Sequence, residues 1–292
     1  MFEALLLKIE IGIDPTLVEV AGLEVTWHGI FTAVGVIVGV AIAAWLARRM
    51  GYPEDMIYNV ALALVIGGIV GARGLYVIEN WSNFKDDLGE IFALNAGGIS
   101  IYGALIGGAV AGWGYSYFSR VPNLPRAADI AAIGGIIGMA IGRLGDIVNG
   151  EHFAKSTDLP WGVVYTDPDS PAYPLRLTAQ HPAVGYELIG DLVIFVMLLA
   201  IYFRVPRAGV TFFAWVFLYG ALRFAVSFLR LDDEVFLGLR TAQIIALIAM
   251  PIGLGAVAYL LRTEPADDRS ARPRRRRVLR EDAPAPEEPT AG

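Results

Sequence analysis

No cysteine occurs in these 292 residues. That excludes a disulfide framework, a thiolate metal site and a cysteine nucleophile supplied by the chain itself. Histidine is scarce as well: His28, His152 and His181 are too few and too scattered for their spacing to argue for zinc. Charged residues make up only 18%, and the net charge of −6 says little because it is unevenly spread. The N-terminus lacks the basic flank of a secretory signal. Its short apolar run is followed by Lys8 and Glu10, so residues 1–26 are expected to stay on the protein. No clear internal repeat is present, which counts against the many transporters built from repeated halves.

Apolar length is abundant. The chain is 55% hydrophobic with a mean hydropathy of +0.54, and several runs approach the ~18–20 residues that cross a bilayer. The expected fold is an all-α polytopic membrane protein of seven transmembrane helices. The spans are read at 27–46, 57–78, 98–118, 127–147, 186–203, 210–228 and 240–261. Residues 1–26, alternating and broken at Asp14-Pro15, form an N-terminal arm at the membrane surface. Residues 149–185 form a small extracytoplasmic head, with a short hairpin expected around 161–165. Residues 262–292, basic at Arg274–Arg277 and then rich in Pro, Glu and Ala, form a disordered cytoplasmic tail. With seven spans, Arg48/Arg49, Arg120/Arg126, Arg204/Arg207 and Arg262 all fall on one side. The positive-inside rule then puts the N-terminus outside and the C-terminus in the cytoplasm.

Polar residues collect where the spans reach the outer side. Arg143 and Asp146 are three apart and share a helix face, followed by Asn149 and Glu151. Tyr219 and Arg223 are four apart on another helix, with Arg230 beyond them. His28 stands at the top of the first span and Tyr102 on the third. Ionisable residues at membrane depth are costly, and so mark function by default. Two arginines there suit an anionic ligand, because guanidinium grips phosphate in a two-pronged way, and phospholipid headgroups supply that ligand. Glu187 and Asp191, four apart on the fifth span, are available to pair with Arg143, Arg223 or Arg73. Most glycines read as helix-packing positions, while those beside Arg143 or Tyr102 also make room for a ligand. These residues alone fit an enzyme, a lipid-binding protein or a transporter.

The run Gly142-Arg-Leu-Gly-Asp-Ile-Val-Asn-Gly-Glu151 resembles the signature Gly-Arg-x-Gly-Asn-Phe-x-Asn-Gly-Glu of the bacterial prolipoprotein diacylglyceryl transferases. The likeness covers residues from about 10 to 260. It includes Ile13-Asp-Pro15, Trp27-x-Gly29, Gly71-Ala-Arg-Gly-Leu-Tyr76, the stretch from Gly97 to Gly107, Asp129, His181-Pro, Tyr186-Glu187, Tyr219-Gly-x-x-Arg223-Phe and Gln243-Ile. The resemblance implies transfer of the diacylglyceryl group of phosphatidylglycerol to the lipobox cysteine thiol of a preprolipoprotein, with release of glycerol phosphate. It implies no cofactor and no metal, no nucleic acid, and a place in the bacterial cytoplasmic membrane. The partners it implies are phosphatidylglycerol and preprolipoprotein signal peptides.

On the matching positions, His28, Tyr102, Arg143 and Arg223 are the expected catalytic residues. Arg143, Asp146, Asn149, Glu151, Gly103, Tyr219 and Arg73 are expected to bind substrate. Four positions depart from the family pattern. Tyr102 stands for a histidine, His28 for a tyrosine, Asp146 for an asparagine and Ser227 for a glutamate. The first two keep one imidazole and one phenol, so His28 is expected to share a cavity with Tyr102 and to take over the role of base. The alternatives are a non-catalytic or redirected relative that binds anionic lipid or lipoprotein precursors, and a small-anion transporter.

Overall fold

The computed structural model describes residues 8–20, 23–85, 87–92, 98 and 100–263. Eight α-helices are present among them: α1 Trp27–Arg49, α2 Glu54–Glu79, α3 Trp81–Phe84, α4 Ile101–Phe118, α5 Leu124–Asn149, α6 Ala183–Arg204, α7 Val210–Ser227 and α8 Thr241–Arg262. Six of these, α1, α2 and α5 to α8, are long and apolar enough to cross a membrane. The expectation of seven spans therefore meets six helices of clear spanning character. The remaining long helix, α4, has 18 residues diluted by glycine and tyrosine. The tail from 264 onward, and Gly97 and Ile99 of the third-span motif, lie outside the described residues.

Small residues set the helix pairs. A Cβ on Gly35 of α1 would stand 2.5 Å from the carbonyl oxygen of Gly138 on α5, and one on Gly39 would stand 2.5 Å from that of Gly134. Backbone thus lies on backbone, the contact that a lipid environment favours in the absence of a hydrophobic drive between helices. The same device joins α2 to α4, where a Cβ on Gly103 would stand 2.2 Å from the Gly71 carbonyl oxygen. The apolar core lies among α1, α5, α6 and α7, around Leu46, Ile133, Ile136 and Leu198, none more than 1% exposed.

Helix ends follow local chemistry. Thr26 caps α1, its Oγ1 accepting the Gly29 N–H at 3.2 Å. Gly150 closes α5 with φ of 72°, a left-handed turn suited to glycine, and its N–H bonds the Asp146 carbonyl. The buried carboxylate of Asp129 receives the N–H groups of Gly209 at 2.9 Å and Phe212 at 2.8 Å, so α5 supplies the cap for α7.

The arm and the head are built together. β1 (Ile9–Ile11) pairs in parallel with β4 (Val163–Tyr165), while β2 (Thr16–Val20) and β3 (Leu23–Thr26) form an antiparallel ribbon. The hairpin expected around 161–165 is corrected accordingly. β4 takes its partner from the arm, about 150 residues earlier, and a parallel pair needs such a long connection. A last ribbon, β5 (Glu234–Phe236) with β6 (Leu239–Arg240), joins α7 to α8.

Candidate active site

One carboxylate on α6 gathers the arginines. Glu187, 1% exposed, has its Oε2 3.0 Å from an amino nitrogen of Arg143. Its Oε1 bonds an amino nitrogen of Arg223 and lies 3.5 Å from one of Arg230. Arg143 also donates to Asp146 Oδ2 at 2.9 Å, and its Nε lies 4.0 Å from Asp191. The pairing left open between Glu187, Asp191 and the arginines is thus resolved toward Arg143 and Arg223, with Arg230 added. Among the described residues, several buried polar atoms here lack a hydrogen-bond partner: Arg143 Nε, an amino nitrogen of Arg230, both Asp191 oxygens and Asn149 Oδ1. Unsatisfied groups at this density suit a site that completes its bonds with a ligand.

Asp146 links this cluster to His28. Nδ1 of His28 lies 2.6 Å from Asp146 Oδ1. The close approach depends on Gly145, where a Cβ would stand 2.6 Å from the Cα of His28. Ordinary side chains at position 145 would push the start of α1 off α5. Among the described residues Nε2 of His28 has no hydrogen-bond partner. A neutral imidazole that donates Nδ1–H to a carboxylate presents Nε2 as its basic nitrogen.

His28, Tyr102, Arg143, Asp146, Glu151, Tyr219 and Arg223 all line one cavity of about 1250 Å³. At its other end the walls are Ala47, Tyr52, Met56, Ile57 and Val121. From His28 to Ala47 along α1 is roughly 28 Å at the helical rise per residue, close to the ~30 Å hydrocarbon thickness of a bilayer. A charged mouth therefore leads into a mostly apolar shaft of membrane length.

The remaining residues singled out in the sequence are placed differently. Asn149 is buried and donates through Nδ2 to Glu151 Oε1 at 2.7 Å, which orients Glu151. Arg73, named among the substrate-binding residues, anchors a loop in this structure. Its nitrogens donate to the carbonyls of Ile91 at 2.8 Å, Gly98 at 2.8 Å and Glu90 at 2.6 Å. Gly103 packs against α2, for the steric reason given above. Ser227, at the position where the resembled pattern has a glutamate, is buried and returns its hydroxyl to the Arg223 carbonyl at 2.6 Å. The carboxylate for Arg223 comes instead from Glu187.

His152, which no sequence pattern singled out, lines the cavity and has Nε2 3.6 Å from Asp146 Oδ2. Its place directly after Glu151 was the available signal. Behind the site, Tyr165 donates its hydroxyl to the Ile147 carbonyl at 3.0 Å. Burial, aided by the negative charge of Asp146, pushes its phenol up to about 12.

His28, Asp146 and Glu151 each offer one ligand atom within 4.8 Å of the others, as do Asp14, Asp167 and Asp169 on the surface. At the first cluster the Arg143 guanidinium, 2.9 Å from Asp146, opposes a second cation by its charge.

A model of the prolipoprotein diacylglyceryl transferase family matches residues 15–259. Curated proteins named phosphatidylglycerol–prolipoprotein diacylglyceryl transferase are similar over most of their length. The one from Nostoc sp. is 34% identical over 261 residues, 87% of this chain and 92% of the relative. The one from Clostridioides difficile is 35% identical over 239 residues, 82% and 92% respectively. The one from Dehalococcoides mccartyi is 33% identical over 262 residues, 89% and 98%. On a match that takes in every element from β2 to α8, the chain belongs to the prolipoprotein diacylglyceryl transferase family.

Proposed function

We propose that this chain transfers the diacylglyceryl group of phosphatidylglycerol to the lipobox cysteine thiol of preprolipoproteins in the bacterial cytoplasmic membrane. The observation that carries the reading is the convergence on buried Glu187 of Arg143 and Arg223, from α5 and α7, which both line a cavity that continues as an apolar shaft. Phosphate sits at the charged mouth, and the acyl chains run down the shaft.

His28 Nε2 takes the proton of the cysteine thiol. The thiolate attacks the headgroup-side carbon of the diacylglycerol, so that a carbon–sulfur bond forms as the carbon–oxygen bond breaks. The electron pair leaves with the glycerol phosphate. Arg143 and Arg223 stabilise the charge growing on that phosphate. Asp146 orients His28, and Tyr102 and Tyr219 flank the reacting groups from the same cavity.

The arrangement in the membrane follows. Taking α4 as a seventh span puts the starts of α1, α4, α6 and α8 and the ends of α5 and α7 on one side, together with the cavity mouth and the head. That side is extracytoplasmic, and Arg48, Arg49, Arg204, Arg207 and Arg262 face the cytoplasm.

The test is complementation of a strain depleted of its own transferase, read as lipidation of a test lipoprotein. The wild-type chain restores lipidation and His28→Phe does not, whereas Tyr102→Phe retains most of it. Full lipidation by His28→Phe with loss in Tyr102→Phe would return the role of base to α4. A wild-type chain that folds, inserts and binds phosphatidylglycerol without restoring lipidation would favour the non-catalytic reading, to which the His28/Tyr102 exchange also points.

A further inference from the structure

Asp146 does not serve His28 alone. His152 stands on its other side, with Nδ1 2.9 Å from an amino nitrogen of Arg230 and Nε2 3.6 Å from Asp146 Oδ2. A guanidinium has only donors, so Nδ1 of His152 must accept that bond. In the neutral ring the proton then sits on Nε2, facing Asp146. The tautomer of His152 is thus dictated by Arg230.

Arg230 is itself held firmly. It bonds Asp232 through Nε at 2.9 Å, lies 3.5 Å from Glu187, and is 5% exposed. The main chain fixes the pair as well. Lys155 N–H bonds the Leu229 carbonyl at 2.8 Å, and Leu231 N–H bonds that of Phe153 at 3.1 Å, so the segment that follows His152 is laced to the one carrying Arg230.

We propose that His152 is a positioning residue for His28. It holds Asp146 Oδ2, together with Arg143, and so leaves Oδ1 aligned on His28 Nδ1 with Nε2 open to the thiol. The inference rests on reading His28 as the base. At 3.6 Å the His152–Asp146 contact is longer than a hydrogen bond, and the proposal requires it to tighten with substrate bound, as catalytic contacts commonly do. Arg143, Glu151 and Arg230 are the other charged groups facing this pair.

The experiment uses the full chain, purified in lipid nanodiscs, with phosphatidylglycerol and a lipobox peptide, and reads glycerol phosphate release. His152→Phe lowers kcat about tenfold, as loss of a partner that orients an active-site ligand does, with KM for the lipid unchanged. His152→Gln restores most of the rate, because its amide N–H reaches the position of Nε2. His152→Asn does not, because its amide reaches only Arg230. It also serves as the test variant if the phenylalanine protein fails to accumulate. Added to Asp146→Asn, His152→Phe costs nothing further, since both act through one carboxylate. Additive losses, a raised KM, or glutamine no better than asparagine would overturn the proposal. If His28→Phe stays active, the reading of the base itself falls. If only His28→Phe is inactive and His152→Phe is fully active, this inference alone falls.

Discussion

Gly145→Ala is the smallest change that should disable this site. The new methyl carbon would lie 2.6 Å from the His28 Cα, 3.1 Å from the Trp27 carbonyl oxygen and 3.2 Å from the His28 nitrogen. All three are backbone atoms, so no side chain can rotate away. Ordinary contact needs α1 to retreat by about 1 Å, which takes the 2.6 Å His28–Asp146 bond past hydrogen-bonding range. A displacement of about 1 Å at reacting groups costs on the order of 100-fold in rate. Overpacking of a close helix contact adds about 1–3 kcal/mol of destabilisation.

The assay is glycerol phosphate release at saturating phosphatidylglycerol, with thermal unfolding of the same preparations in parallel. KM for the lipid should hold, because Arg143 and Arg223 do not move with α1. Gly114→Ala and Gly255→Ala are the controls, since a Cβ at either position meets nothing within 4 Å. They should be neutral or slightly stabilising. A Gly145→Ala protein with kcat within about threefold of wild type, far from the 100-fold loss, would refute the claim that α1 sets the position of His28.

Two further outcomes follow from the same geometry. Arg143→Ala and Arg223→Ala should each lower transfer by at least about 10²–10³-fold, the scale for losing a donor to developing charge, while the proteins still insert. Near-normal turnover in either would remove the phosphate role. Tyr165 gives a pH dependence. Its folded value, about 12, lies above the ordinary phenol value of ~10, so the neutral form is favoured in the folded state. The stability contributed by its hydroxyl is intact below pH ~10 and is lost as pH rises through about 12. Tyr165→Phe should lack that component when unfolding is followed across the alkaline range. An unchanged alkaline slope would show that the hydroxyl is not held as described.

The long apolar runs fixed where helices form, because a backbone in hydrocarbon must satisfy its own hydrogen bonds and a helix does so locally. The signature around Arg143, with Arg223 four residues after Tyr219, likewise announced cations at membrane depth from chain-local information alone. What local pattern could not decide was partnership. Arg73 reads in sequence like Arg143, yet its nitrogens bind carbonyls of the loop that follows α2. Glu187 could have paired with any of several arginines, and only the packing of α6 against α5 and α7 selected Arg143, Arg223 and Arg230. β4 was readable as extended but not as the neighbour of β1, and His152 looked incidental until the head folded it against Asp146. Helix formation depends on contacts three to four residues apart, which the order of residues already contains. A polar cluster depends on which distant segments meet at one depth, and that follows from the glycine contacts that bring α1 onto α5 and from the three-dimensional arrangement they help to set.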